Sequence, residues 1–397
     1  MTRIIPVFLF ALSLLVAGSS FAKTAASQPR AREAAEPLLN KALDEIGKQR
    51  FDAALSHIDQ LLRLQPNFRL AHMIRGDLLL AKVHLLTKMG NAPRGPEDRV
   101  VDLREEAIAR LRALRDRPTD EQIPRYLLQM PADQKYALVV DTGRSRLFVY
   151  QNAGGRPRLV SDYYISIGKR GAEKVREGDQ KTPIGVYHVT SSLPRKKLTD
   201  FYGSGAYPIN YPNEWDKRMG RNGHGIWLHG TPSDTFSRPP RASDGCVVLT
   251  NVDLDALARN LEIGKTAVLI SENIEWSSPE QLAIERKDFM EALERWRADW
   301  ESRDTGRYLG HYARQFKSVD QDLAAWSAHK KKVNDGKDWI KLKLNNVSVY
   351  RNPGKDDMMV VNFDQDYRSN NLNNLMRKTQ YWVRESGRWR VVYEGAA

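Results

Sequence analysis

Two short stretches hold the residue types that do covalent chemistry: Ile226-Trp-Leu-His-Gly-Thr231 and Ser243-Asp-Gly-Cys-Val-Val-Leu-Thr-Asn251. Cys246 is the single cysteine of the 397-residue chain. A thiol is mostly protonated at neutral pH and becomes a nucleophile when a base or a positive charge favours the thiolate. His229 is the natural base, because imidazole titrates near neutrality. Gly245 lets the backbone turn sharply and lets a substrate carbonyl approach. The amides of Gly245 and Cys246 are therefore candidate oxyanion donors. Ser243 and Trp227 flank the pair as candidate substrate contacts. The bland alternative is a buried structural cysteine, and a cysteine with a distant histidine decides little by itself. His224 stands five positions before His229, so on one strand the two face opposite sides and at most one serves Cys246. His188 reads as a strand residue with its hydrogen bonds satisfied. One cysteine and no close histidine pair make no ligand cluster, so no metal and no other cofactor is expected.

The elements around these stretches read as a multidomain chain. Residues 132–275 carry short apolar runs closed by Gly and Pro turns, among them Tyr136-Ala-Leu-Val-Val140, Leu147-Phe-Val-Tyr150 and Ala267-Val-Leu-Ile270. That pattern predicts a mainly-β core, sandwich or barrel-like. Thr250-Asn-Val-Asp253 is suited to cap one short helix. Residues 23–131 are expected to be helical with a linker. The helical spacing runs from Ala34 to about Val83 and again from about Val100 to Leu114, and 118–131 reads as the linker. Residues 50–67 resemble the second helix and closing turn of a tetratricopeptide repeat, with Ala54 twelve positions before Pro66. One repeat cannot bury its own apolar face, so this region should pack on something: the core, a second copy or a protein partner. Residues 281–397 read as helix from about Gln281 to Phe316, then as strands, which is an α+β pattern. Trp296-Arg-Ala-Asp-Trp300, Tyr308, Tyr312 and the closing Gly387-Arg-Trp389-Arg-Val-Val resemble the NTF2-like cone fold. Trp296, Trp300, Tyr308, Trp382 and Trp389 are read as core before pocket lining.

The core motifs resemble the YkuD-type L,D-transpeptidase catalytic domain. His229-Gly230 is followed by Ser243-Asp244-Gly245-Cys246, where the family has Ser/Thr-His-Gly-Cys. Lys181-Thr-Pro-Ile-Gly-Val-Tyr187 is similar to its Thr-Pro-x-Gly signature, and residues 139–150 to its opening hairpin. Two positions depart: Asp244 replaces the family's His, and Val248 replaces an Arg that commonly follows the Cys. The loss of that Arg should alter how a substrate carboxylate is held. The resemblance implies that Cys246 attacks the carbonyl before the D-Ala of a peptidoglycan stem tetrapeptide, and that the Gly230 carbonyl orients His229. It also implies a thioester resolved by an amine (L,D-transpeptidase) or by water (L,D-carboxypeptidase). The three-part plan resembles helical-cell-shape carboxypeptidases. A relative that hydrolyses a wall–lipoprotein link is a further enzymatic option, and a non-catalytic wall-binding protein is the alternative of another class.

The compartment fits that chemistry. Arg3, the apolar run Ile4 to Ala17 and Ser20-Phe-Ala22 are laid out as a secretory signal peptide, residues 1–22. The run is shorter than the roughly 20 residues a membrane span needs, so a periplasmic protein with no span after cleavage is expected. The net charge of +13 favours anionic partners such as a wall polymer. Export, scattered basic residues and the absence of a recognised module argue against nucleic acid. The expected partners are peptidoglycan stem peptides, with a homodimer or protein contact through the helical region.

Overall fold

The computed structural model describes residues 35–91, 96–354 and 357–396; the expected signal peptide lies outside them. The helical region begins with α1 (Ala35–Gly47), α2 (Phe51–Leu64), α3 (Arg69–Leu80) and α4 (Glu97–Arg115). Leu39, Ala42, Ala54, Ile58, Leu61, Ile74 and Ala107 recur at helical spacing and close a core of their own. Pro66 sits in the turn between α2 and α3. The region packs on the β core, as its apolar face requires. Phe236, from a core loop, inserts among these helices with its ring 4.5 Å from that of Phe68. The Arg110 guanidinium lies 3.9 Å over Tyr164.

Residues 118–131 are more than a linker. They form β1 (Ile123–Pro124) and β2 (Leu127–Gln129), and β2 adds an edge strand to the C-terminal sheet. Leu127 and Leu128 face different cores, so both sides of this stretch are buried. Loop-like composition hid a strand that only tertiary partners make.

The core holds β3 (Tyr136–Asp141), β4 (Arg146–Ala153), β5 (Arg156–Tyr164), β6 (Ile167–Gly168), β7 (Gly185–His188), β8 (Leu193–Pro194), β9 (Gly205–Pro208), α5 (Glu214–Arg218), β10 (Trp227–His229), β11 (Arg241–Ser243), β12 (Val247–Val248), α6 (Asn251–Ala258) and β13 (Ala267–Ser271). One sheet runs β5-β4-β3-β13-β7, and a second runs β12-β10-β9-β8. Leu138, Val140, Leu147, Val149, Leu228, Val247 and Val268 fill the space between them. Ala137, Val139, Phe148 and Leu269 point the other way, onto Tyr350, Val360 and Tyr381 of the C-terminal domain. Both faces of β3 are thus covered, and this explains its unbroken apolar run. Thr250 caps α6 as its sequence suggested, with Oγ1 accepting from Asp253 N at 3.1 Å.

After β14 (Trp276–Ser277), the C-terminal domain has α7 (Pro279–Glu301), α8 (Thr305–Leu309), β15 (Tyr312–Lys317), α9 (Leu323–Asp335), β16 (Ile340–Arg351), β17 (Met358–Ser369), β18 (Asn373–Glu385) and β19 (Arg388–Ala396). The sheet order is β15-β19-β18-β17-β16-β2. The single helix expected to Phe316 ends at Glu301. Arg303 takes φ 62°, Asp304 caps a separate short helix, and Tyr312–Lys317 turns into a strand beside β19. Trp296, Trp300, Tyr308, Trp382 and Trp389 pack on one another in the core.

Candidate active site

His229 ends β10, between β9 and β12. Leu228 points into the apolar core, so alternation puts Trp227 and His229 on the opposite face. Val247 is the register partner of Leu228. Cys246, one residue earlier on the parallel neighbour, is therefore level with Trp227, on the face that carries His229. His229 is 1% exposed, and its Nδ1 lies 2.7 Å from the Gly230 carbonyl oxygen. A carbonyl only accepts, so Nδ1 carries the proton and Nε2 keeps its lone pair. Burial, with help from Arg238, pushes the imidazole down to about 4, and the bond to Gly230 opposes this.

Gly230 has no room for a side chain, because a Cβ would stand 2.0 Å from Asn251 Oδ1. That amide ties the strand end to α6: Oδ1 accepts from Ser204 N at 2.9 Å and Nδ2 donates to the Thr231 carbonyl at 2.8 Å. Tyr202 and Phe201 wall the histidine, with ring centroids 5.1 and 5.9 Å from it. Tyr202 also lies 4.9 Å from Trp227.

The turn into Cys246 is built for glycine. Gly245 has φ 129°, and a Cβ there would meet the Lys181 carbonyl oxygen at 2.7 Å. Thr182 Oγ1 donates to the Gly245 carbonyl at 3.0 Å and accepts from Gly168 N at 3.0 Å. The Gly245 amide is already engaged, donating to Ser243 Oγ at 3.1 Å, and that hydroxyl donates to the Cys246 carbonyl at 2.6 Å. Ser243 thus holds the turn. The Cys246 thiol donates to the Gly225 carbonyl, with Sγ 3.3 Å from the oxygen. One side of Cys246 stays accessible, yet the packed surroundings push its thiol up to about 11, against the Trp227 amide, which favours the thiolate. The resting site thus holds a thiol and a neutral imidazole.

Residues 135–270 match the L,D-transpeptidase catalytic domain profile of the YkuD family, and 288–395 match the Cds6 C-terminal NTF2-like domain. The core is a YkuD domain, and an NTF2-like domain follows it. Solved structures similar to the chain include Bd1075 of Bdellovibrio bacteriovorus, 29% identical with a TM-score of 0.62, over 70% of this chain and 98% of that one. The helical cell shape determining protein Pgp2 of Campylobacter jejuni is 28% identical with a TM-score of 0.58, over 68% of this chain and 95% of that one. No curated protein sequence matches the chain.

Within the YkuD domain the two departures have a physical reading. Asp244 is exposed and accepts from Lys169 Nζ and Gln180 Nε2, each at 3.0 Å. Val248 is 2% exposed and paired with His229 and Ser166, so this position presents no cation to a substrate carboxylate. His224 lies before β10, not on it, exposed and 3.5 Å from Glu177. His188 is on β7, paired to Ala267, with its amide bonded to Asn210. Among the described residues no group of acids, histidines and cysteine is set to hold a metal, and no helix is long and apolar enough to cross a membrane. Sequence reasoning missed Phe201, Tyr202, Asn251 and Arg238 as neighbours of the site. The Asn251 role had one signal: it stands beside the capping Thr250.

Proposed function

We propose that Cys246 is an acyl-transfer nucleophile acting on peptidoglycan stem tetrapeptides in the periplasm, with His229 as its base. The Cys246 proton moves to His229 Nε2 as sulfur bonds the carbonyl carbon before the terminal D-Ala. Because thiol and imidazole are neutral at rest, this transfer accompanies attack. With the Gly245 amide engaged, the oxyanion falls to the amide of Cys246 itself. The C–N bond breaks, the imidazolium proton goes to the leaving amine, and a thioester remains. His229 then takes a proton from the acceptor, which attacks the thioester and restores the thiol.

The single observation that carries this reading is the free Nε2 of His229 on the face it shares with Cys246, in a YkuD domain. The motif resemblance alone puts transfer to a second stem first. The likeness to a cell shape determining protein along 95% of its length favours water as acceptor, that is, an L,D-carboxypeptidase. Mass spectrometry of tetrapeptide muropeptides incubated with the enzyme tests both. Tripeptide plus D-Ala means hydrolysis, and a diaminopimelate–diaminopimelate dimer means transfer. Cys246→Ala should cut D-Ala release at least about a thousandfold; full activity in that variant ends the proposal.

A further inference from the structure

The loop from His229 to Ser243 carries a cation that no carboxylate pairs with among the described residues. Arg238 is half-buried, and burial lowers its basicity. Its guanidinium lies 4.7 Å over the ring of Phe201, the ring that sits 5.9 Å from His229. Its charge acts on His229, on Cys246 and on Asp244. Asp244 bonds instead to Lys169 and Gln180, and no carboxylate lies within ion-pair distance of Arg238 among the described residues. A half-buried guanidinium with no counter-ion is costly, and a planar carboxylate is the group that matches its fork.

The main chain at this position is fixed from two sides. The Arg238 carbonyl accepts from Tyr164 Oη at 2.9 Å and Ser166 Oγ at 3.0 Å. The two residues before it are gripped by the helical domain. Phe236 is half-buried against Phe68, and Ser237 Oγ donates to Glu106 at 2.7 Å. Glu106 is in turn paired with Arg110, inside the same domain. Pro239 and Pro240 stiffen the exit, where the Pro240 carbonyl accepts from Ile167 N at 2.8 Å. So an unpaired cation is held near the catalytic pair in a YkuD domain whose residue 248 is a buried valine.

We propose that Arg238 is a specificity-determining residue that binds the free carboxylate of the substrate's C-terminal D-amino acid, and that the N-terminal helices hold it in place. This rests on the acyl-transfer reading above. The scissile bond is followed by one residue ending in a carboxylate, so a cation on the Phe201 side of His229 measures where the chain ends. A substrate that continues past that residue lacks the charge.

The test compares a stem tetrapeptide with the same peptide amidated at its C-terminus, using the full chain. The wild type should prefer the acid by about a hundredfold in kcat/KM. Arg238→Ala should bring the acid down toward the amide's level, mostly through KM, so that the acid-to-amide ratio falls to near one whatever the loss of its charge does to turnover of the amide itself. Arg238→Lys should fall between, and Phe236→Ala should lower the acid-to-amide ratio although Arg238 is intact. Equal turnover of acid and amide by the wild type overturns the assignment while leaving the acyl-transfer reading standing. So does an Arg238→Ala variant that loses both substrates equally. A wild type that turns over neither peptide removes the acyl-transfer reading and this proposal with it.

Discussion

In the YkuD domain, His229 and Cys246 are held by peptide groups: the Gly230 carbonyl on Nδ1 and the Gly225 carbonyl on the thiol. In the NTF2-like domain, Glu394 is held by side chains. It is 2% exposed, pairs with Lys378, and accepts from Gln380 Nε2 at 2.9 Å and Tyr312 Oη at 3.0 Å. Lys330 lies nearby, buried, with Nζ 4.3 and 4.4 Å over the rings of Trp300 and Trp326. A full opposite charge locks its partner in one protonation state. A neutral dipole orients a side chain and leaves its proton free to move. The first arrangement suits a structural group and the second a group that must gain and lose a proton.

The largest effect expected from this contrast is on stability at Glu394. Glu394→Ala leaves Lys378 and Lys330 buried without their counter-ion, which should cost about 3–5 kcal/mol. Urea unfolding followed by tryptophan fluorescence reads it, since Trp296, Trp300, Trp382 and Trp389 lie in that domain's core. Activity per folded molecule should not change. A loss under about 1 kcal/mol would mean that the charges around Glu394 are not what holds it.

The second effect is a pH dependence at His229. Its folded pKa is pushed from 6.5 to about 4, so between those values the unfolded chain binds a proton that the folded chain refuses. Stability from this group is full above 6.5 and is lost as pH falls to 4, by about 3 kcal/mol in all. Buried Asp253 works in the opposite sense. Burial pushes it from 3.8 up to about 6, and its share is lost as pH rises through that range. Total stability therefore mixes two slopes. The difference between wild type and His229→Gln isolates one: it should shrink steadily from pH 6.5 to pH 4. A difference constant across that window breaks the contrast, because it would mean that His229 is not held neutral.

How far the sequence reached follows the same division. Cys246, His229, Gly230 and Gly245 were readable because each residue type is forced by local chemistry: a sulfur, an imidazole, and two backbones that clash with any Cβ. The mainly-β core and the closing strands were readable from apolar runs and turns. The edge strand β2 was not, because its partner lies more than 200 residues away in β16, and no local pattern records a partner that distant. Tyr202 and Phe201 come to His229 through a short loop whose composition is ordinary. Arg238 was just one of many basic residues, and only the grip on Phe236 and Ser237 singles it out.

The smallest expected effect sharpens the contrast at the cysteine. Asp244 is the family's missing histidine, two residues before Cys246. It is exposed, so removing its bonds to Lys169 and Gln180 should change stability by less than about 1 kcal/mol. Its charge nevertheless opposes ionisation of the thiol, which Arg238 and Lys174 favour. Asp244→Asn should therefore speed iodoacetamide alkylation of Cys246 at pH 8 by about threefold. Asp234, an exposed acid in the loop before β11 that accepts from the Thr235 hydroxyl, is the control, and Asp234→Asn should leave the rate unchanged. If the two variants behave alike, the thiol is governed by its peptide surroundings alone. A rise of tenfold or more in Asp244→Asn alone would instead place a side-chain charge in command of Cys246, as one is at Glu394.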